Sequence, residues 1–345
     1  FPHEILGKLV GTGLLGALVP EEYGGAALDY VSYALAVEEL DRVGASVGTT
    51  MWAHIPLCTN HITLFGSPEQ KRTYLPGLAS GRTLGGWGLT EPGSGSDAAA
   101  MKTRAVRDGG DWVLNGTKGF ITNAGVAQVA VVMAVTDPAR GKKGISAFIL
   151  EKGMAGFSAG APYRKLGLHA SNTAELILDN VRVPAANLLG TEGMGFVNTM
   201  QVLEGGRIAM AAMAVGLAQG ALDPALRYMK QRSAFGQTLA EFNGLQGMIA
   251  EIGTEVEAAR LLALRAASLK DAGKPAKVAA SMAKVFASEV AMKAATMALQ
   301  IHGGAGYITE FPIERIFRDA KLTEIGEGTS EIQRMVIARS ILDLR

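Results

Sequence analysis

The spacing of apolar residues changes twice along the chain, and each change marks a switch of secondary structure. From about Ile5 to Ser80 apolar positions recur every three or four residues, as at Tyr33, Val37 and Leu40, with proline or glycine between segments at Pro20, Gly24, Gly25, Pro56, Pro68 and Pro76. Short helices are predicted there. From about Thr83 to Leu189 β-rich runs take over at Trp112–Leu114, Val129–Val135, Ile145–Leu150 and Leu176–Val183, separated by turn residues such as Asp108-Gly109-Gly110-Asp111 and Asp179-Asn180. No amphipathic helix of about 10–15 residues separates these runs, so they predict an antiparallel sandwich or barrel rather than a parallel sheet. From about Gly195 the helical period returns, through Leu245, Ile249, Ile252 and Val256 and again through Val278, Met282, Val285 and Met292. Long helices with short joints, such as Asp271-Ala272-Gly273-Lys274-Pro275, predict an antiparallel bundle. The expected chain is an α+β multi-domain protein with a helical domain over 1–85, a β domain over 86–190 and a helical bundle over 191–345.

Composition narrows the function classes. The 345 residues carry 33 Lys plus Arg against 32 Asp plus Glu, interspersed rather than in blocks, which leaves no electrostatic footprint for nucleic acid. The longest uninterrupted apolar stretch, Ile208–Ala218, is far short of the roughly 18 residues that span a bilayer, so no transmembrane helix is expected. Cys58 has no partner for a disulfide, which fits a reducing, cytoplasmic compartment. The histidines His3, His54, His61, His169 and His302 include no ligand-spaced pair, so no metal site is expected. Glycine is the outlier, at 44 residues nearly twice its usual share of about 7%.

Gly11-Thr12-Gly13-Leu14-Leu15-Gly16 matches the dinucleotide fingerprint, but no strand–turn–helix context surrounds it and Pro20 follows at once, so that reading is rejected. Four other stretches carry candidate chemistry. Thr90-Glu91-Pro92-Gly93-Ser94-Gly95-Ser96-Asp97 is a loop rich in backbone N–H groups and hydroxyls, able to lie flat on a polar ring or phosphate. Phe120 and Thr122 stand two apart and are expected on one strand face. Gln300-Ile301-His302-Gly303-Gly304-Ala305-Gly306 has more glycine than a helix C-cap requires. Glu327 lies between Gly326 and Gly328, and Ser330 with Gln333 reads as a capping box that opens the next helix.

In this order, and together with Arg207, Arg232-Ser233-Ala234-Phe235-Gly236 and Arg318-Asp319-Ala320-Lys321, these stretches resemble the acyl-CoA dehydrogenase family over nearly the whole chain, most of all its short-chain and branched short-chain members. The resemblance implies a C-terminal four-helix bundle and FAD, with its isoalloxazine between the β domain and the bundle. It assigns Leu89, Thr90, Phe120 and Thr122 to the flavin ring, Arg232, Phe235, Gln300, Gly303 and Gly304 to the pyrophosphate and adenosine, and Ile121 and Asn243 to the cofactor set as a whole. Thr329 and Glu331 join the cofactor set; Ser96 is shared between cofactor and the pantetheine arm of the acyl-CoA, along which Glu204 and Arg207 are also expected, and Gly328 joins the substrate-binding set. Phe120 stands where the family usually has Trp, and Asn243 where it usually has Gln. Relative to the family's N-terminal domain, the first helix is expected to be absent ahead of Phe1, which leaves a targeting sequence open.

The implied activity is α,β-dehydrogenation of a saturated acyl-CoA to the trans-2-enoyl-CoA, as in fatty acid β-oxidation, with electrons passed to an electron-transfer flavoprotein. Such chemistry needs a base for the α-proton, donors for the enolate-like oxygen and an acceptor at Cβ. Glu327 is the expected base, with its own backbone N–H and a flavin ribityl hydroxyl as donors. Gly206, where some family members place the base, cannot serve, and Glu204 is the rival carboxylate. Cofactor contacts across a subunit interface imply a homotetramer or at least a dimer. An acyl-CoA oxidase, a flavoprotein acting on another thioester, and a non-enzymatic scaffold of the same fold are the alternatives.

Overall fold

The computed structural model describes residues 1–344. In chain order its helices and strands are α1 (His3–Val10), α2 (Tyr30–Trp52), α3 (Asn60–Phe65), α4 (Pro68–Ala79), β1 (Gly85–Gly88), β2 (Arg104–Asp108), β3 (Asp111–Thr122), β4 (Val129–Val135), β5 (Ile145–Glu151), β6 (Phe157–Ala159), β7 (Thr173–Pro184), β8 (Leu188–Leu189), α5 (Gly195–Gln231), β9 (Ser233–Ala234), β10 (Gln237–Thr238), α6 (Asn243–Asp271), α7 (Lys277–His302), α8 (Ile313–Ile325) and α9 (Ser330–Ile341). The described residues form two compact units: residues 1–28, 49–164 and 170–203, and residues 29–48, 165–169 and 204–344. The helical, β, helical succession expected from periodicity is present. The early helices are not all short, however: α2 runs for 23 residues with a non-helical Gly44 inside it, and a π-type helix over Ala53–Thr59 follows. No strand precedes Gly11–Gly16, which instead follows α1.

In the first unit the strands make one sheet in the order β6-β7-β3-β2-β4-β5-β8, with β1 also paired to β4. It is not wholly antiparallel as the sequence suggested: β1 runs parallel to β4, and β2 meets β4 in parallel at Arg104 and Val135. Strand β4 explains its own uninterrupted apolar run, because both of its faces are buried. Val129, Val131 and Met133 join a core with Leu57, Ile62, Leu75, Leu78 and Trp87, whereas Ala130, Val132 and Ala134 join another with Trp112, Leu114, Phe148 and Val183. Strands β3 and β7 pair antiparallel with two irregularities, at Leu114/Gly116 and Lys118/Ile121.

The second unit is built on close helix packing. Helix α7 buries Ala279, Ala280, Ala283, Ala287, Ala291, Ala294, Ala295 and Ala298. A Cβ on Gly216 of α5 would stand 2.4 Å from the Glu38 carbonyl, and one on Gly220 would stand 2.5 Å from that of Arg42, so these glycines let α2 and α5 meet backbone to backbone. Ion pairs Arg42–Asp223 at 2.5 Å and Arg260–Glu38 at 2.8 Å flank this contact. Helix α5, contrary to expectation, contains a stretch long and apolar enough to cross a membrane; 89% of that stretch is buried inside the protein, so packing accounts for its apolarity.

Candidate functional site

The turn from α8 to α9 carries the expected base. Gly326 ends α8 in an extended conformation, and then Glu327 and Gly328 both take left-handed backbone, at φ +58° and +89°. Glycine tolerates this; glutamate does so at a cost of roughly 1–3 kcal/mol. The Glu327 Oε2 is buried with no hydrogen-bond partner. Burial lifts its carboxyl to about 7, against the opposing pull of the Arg207 and Lys284 cations. Arg207, 6% exposed on α5, likewise has a buried Nε without a partner, and burial lowers its affinity for the proton. The rival Glu204 is engaged by Lys270 at 3.4 Å.

The capping box expected at Ser330 and Gln333 is not formed. Thr329 is the N-cap, its hydroxyl accepting from the Ile332 amide at 3.4 Å. Gln333 reaches back past the Thr329 N-cap, and its side-chain amide donates to the carbonyls of Glu327 and Gly328. Glu331 is exposed in the first turn of α9, where an acid is favoured by the helix dipole.

A second group of expected residues surrounds the end of α7. Gly303 has φ +58° and ψ −135°, a conformation that favours glycine, and a cavity of about 630 Å³ is lined by Tyr228, Arg232, His302, Gly303, Gly304 and Phe311. His302 stacks on Tyr228 with ring centroids 4.4 Å apart, while its Nδ1 lies 2.7 Å from the Ala298 carbonyl. Strands β9 and β10 form a hairpin whose two turn residues, Phe235 and Gly236, both have positive φ. That turn favours Asn-Gly, yet here it presents a phenylalanine 96% exposed. Gln300 and Asn243 are also exposed.

In the β unit, Phe120 has φ +58° at the irregularity of β3, so it and Thr122 do not share a face in regular strand alternation. The bulge throws the Phe120 ring outward, 66% exposed and 5.2 Å from the Tyr163 ring. Ile121 is turned into the sheet core, and Leu89 into the other core, so both are left with only their main chain to offer a ligand. Thr90 accepts the Gly119 amide at 2.8 Å, Thr122 is half-buried, and Ser96 is exposed. Among the described residues, three of the eight non-glycine residues with positive φ, Phe120, Phe235 and Glu327, are expected site residues. Such strain collects at functional sites.

The family models for the acyl-CoA dehydrogenase N-terminal, middle and C-terminal domains match residues 1–82, 86–181 and 193–342. The chain belongs to the acyl-CoA dehydrogenase family. It is 48% identical to the short-chain specific acyl-CoA dehydrogenase of Clostridium acetobutylicum over 341 residues, covering 99% of this chain and 90% of that one. Butyryl-CoA dehydrogenase from Megasphaera elsdenii superposes with a TM-score of 0.97 at 45% identity, covering 99% and 90% of the two chains. A chain in a structure of the electron transferring flavoprotein of Acidaminococcus fermentans matches with a TM-score of 0.97 at 50% identity, over 99% and 90%.

For this family member, sequence reasoning missed the charged and amide groups that support the expected site residues. Lys118 and Lys284 are both fully buried, and Gln333, also buried, donates its side-chain amide to the carbonyls of Glu327 and Gly328. The signal was available. A lone lysine in the alanine stripe of α7, and another at an inward position of β3, each break an apolar pattern without facing solvent.

Proposed function

We propose that this chain is an FAD-dependent dehydrogenase of short-chain acyl-CoA thioesters, with Glu327 as the base that removes the α-proton. The observation that carries this reading is the Glu327 carboxyl, whose buried Oε2 has no hydrogen-bond partner and whose proton affinity burial lifts to about 7. An acid at that level is ionised often enough at neutral pH to accept a proton, and basic enough to hold it. Glu204 is a weaker candidate because Lys270 already occupies it.

The residues present fit FAD. The cavity beside Arg232, Gly303 and Gly304 offers an exposed backbone and a cation to a pyrophosphate, and Phe120 and Phe235 present aromatic faces to solvent. Leu89 and Ile121 through their main chains, with Thr90 and Thr122, would hold the ring, and Ser96 with Arg207 would meet the phosphate-bearing and pantetheine parts of the ligands. When bound, FAD supplies the acceptor for the hydrogen that leaves Cβ with its electron pair. Glu327 takes the α-proton, and Arg207 and Lys284 favour its ionised form against burial. The likeness to a chain in an electron transferring flavoprotein structure supports such a protein as the electron acceptor. The exposure of Phe235 fits a cofactor site completed by a second copy of the chain, in a dimer or tetramer.

Anaerobic titration of the flavin-loaded protein with straight and branched acyl-CoAs of increasing length tests the proposal. Short-chain thioesters are expected to bleach the flavin. Glu327→Gln is expected to retain FAD and acyl-CoA binding and lose bleaching; full bleaching by that variant would overturn the assignment of the base.

A further inference from the structure

Two buried residues to which the proposed chemistry assigns no direct part converge on the turn that holds Glu327. Lys284 on α7 is fully buried, and its ammonium donates to the Gly328 carbonyl at 2.9 Å. Gln333 on α9 is also fully buried, and its Nε2 donates to the Glu327 carbonyl at 2.9 Å and to the Gly328 carbonyl at 3.0 Å. The Gly328 oxygen therefore accepts from both. Neither residue is explained by its own helix. An ammonium in an alanine-lined interior is costly, and Gln333 leaves its Oε1 buried without a partner. What both accomplish is to hold the carbonyls of two successive left-handed residues.

We infer that Lys284 and Gln333 are positioning residues for the Glu327 base, locking the left-handed Glu327–Gly328 pair so that the carboxyl is held in one direction. Relaxation of Glu327 to negative φ would swing its Cα–Cβ bond and carry the carboxyl away from its place. The trans peptide that follows is fixed in the same way, because with the Glu327 carbonyl turned onto Gln333 the Gly328 N–H must point to the opposite side. A Cβ on Gly328 would stand 2.7 Å from Gln333 Nε2, which keeps that position glycine and the clamp close. The inference rests on the reading of Glu327 as base.

Lys284 and Gln333 differ in charge, and this separates their effects. The cations that act on Glu327 are Arg207 from α5 and Lys284 from α7; Lys284 itself feels Glu327, Glu324 of α8, Glu331 of α9 and Arg207. Removing Lys284 takes away both a hydrogen bond and a cation, whereas removing Gln333 takes away hydrogen bonds alone.

The test uses the flavin-loaded protein and compares Gln333→Met, Lys284→Met and Lys284→Arg with the parent in anaerobic stopped-flow reduction by a short-chain acyl-CoA across pH. Gln333→Met is expected to lower the limiting rate by about 10- to 100-fold, the scale of a misplaced reacting group, with acyl-CoA affinity kept and the rising limb of the pH profile unmoved. Lys284→Met is expected to lower the rate and move that limb to higher pH, and Lys284→Arg to return the limb toward its parent position. Without substrate, amides of residues 326–329 are expected to exchange hydrogen faster in both methionine variants. Parent rates with an unmoved limb, or a loss of affinity with the limiting rate unchanged, overturn the inference. Should Lys284→Met fail to fold, Gln333→Met decides alone. Glu327→Gln run alongside separates the two readings: if it stays unreduced the base stands whatever the clamp does, and if it bleaches fully both fall.

Discussion

In the β unit the ammonium of Lys118 donates to the Glu91 carboxylate at 2.8 Å, with 0% of the lysine side chain and 7% of the glutamate exposed. Glu91 also accepts from the amides of Lys102 and Thr103, and Lys118 donates a second bond to the Leu89 carbonyl at 3.2 Å. The pair thus ties β3 to the segment Leu89–Glu91, whose main chain is proposed to meet the flavin. Burial alone would raise the Glu91 carboxyl, but Lys118 and the two amides outweigh it and bring the group below its usual range. Lys118→Met leaves this carboxylate uncompensated and is expected to cost about 3–5 kcal/mol, read as a lower melting temperature. Adding Glu91→Gln to Lys118→Met is expected to recover part of the loss, since the stranded charge is then gone.

Glu327 links activity and stability in opposite senses. Flavin reduction is expected to rise with pH through about 7 as the base ionises. A carboxyl lifted in the fold contributes stability that is fully present below its ordinary value of 4.5 and is lost as pH rises through about 7. Glu327→Gln is therefore expected to match the parent in stability near pH 4 and to exceed it at pH 8 by about 1–3 kcal/mol. Denaturation of the flavin-free protein at the two pH values checks this; equal stability at pH 8 contradicts it.

Gly303→Ala isolates conformation from crowding, because an added Cβ at Gly303 meets nothing within 4 Å while its φ of +58° disfavours any L side chain. The strain is expected to be about 1–3 kcal/mol. Relief of that strain would redraw the backbone lining the cavity beside Arg232. Retained flavin after dialysis is expected to fall, and the melting temperature of the flavin-free protein to drop by no more than that strain allows, a few degrees.

Gly220→Ala tests the opposite case, since here the new Cβ would strike the Arg42 carbonyl at 2.5 Å. Helices α2 and α5 would have to part, at a cost of about 1–3 kcal/mol. A thermal melt measures it, and an unchanged midpoint would show that the helix pair is not held at this contact.

The succession of helical, β and helical stretches was legible because apolar spacing is set directly by which side of an element is buried. Glu327 stood out as a candidate for a different reason: a helix cap does not explain an acid between two glycines. What spacing cannot carry is the sign of φ. Phe120 looked like a residue of a regular strand, and its bulge appears only in the pairing of β3 with β7. Nor could spacing show the parallel pairing of β1, whose sequence Gly85-Gly86-Trp87-Gly88 has no alternation to read. Gln333 was assigned to a helix cap because the local motif fits one. The carbonyls it serves lie outside the helix, where only the folded turn brings them within reach.

Strand β4 has apolar residues on both faces, so a slip of one residue would expose no polar group to either core. The usual penalty against a register error is therefore missing. What distinguishes the faces is bulk: Val129, Val131 and Met133 on one, Ala130, Val132 and Ala134 on the other. A slipped strand would leave voids in one core and overfill its counterpart. The alignment of this strand is written in side-chain volume, which makes its alanines as informative as its larger residues.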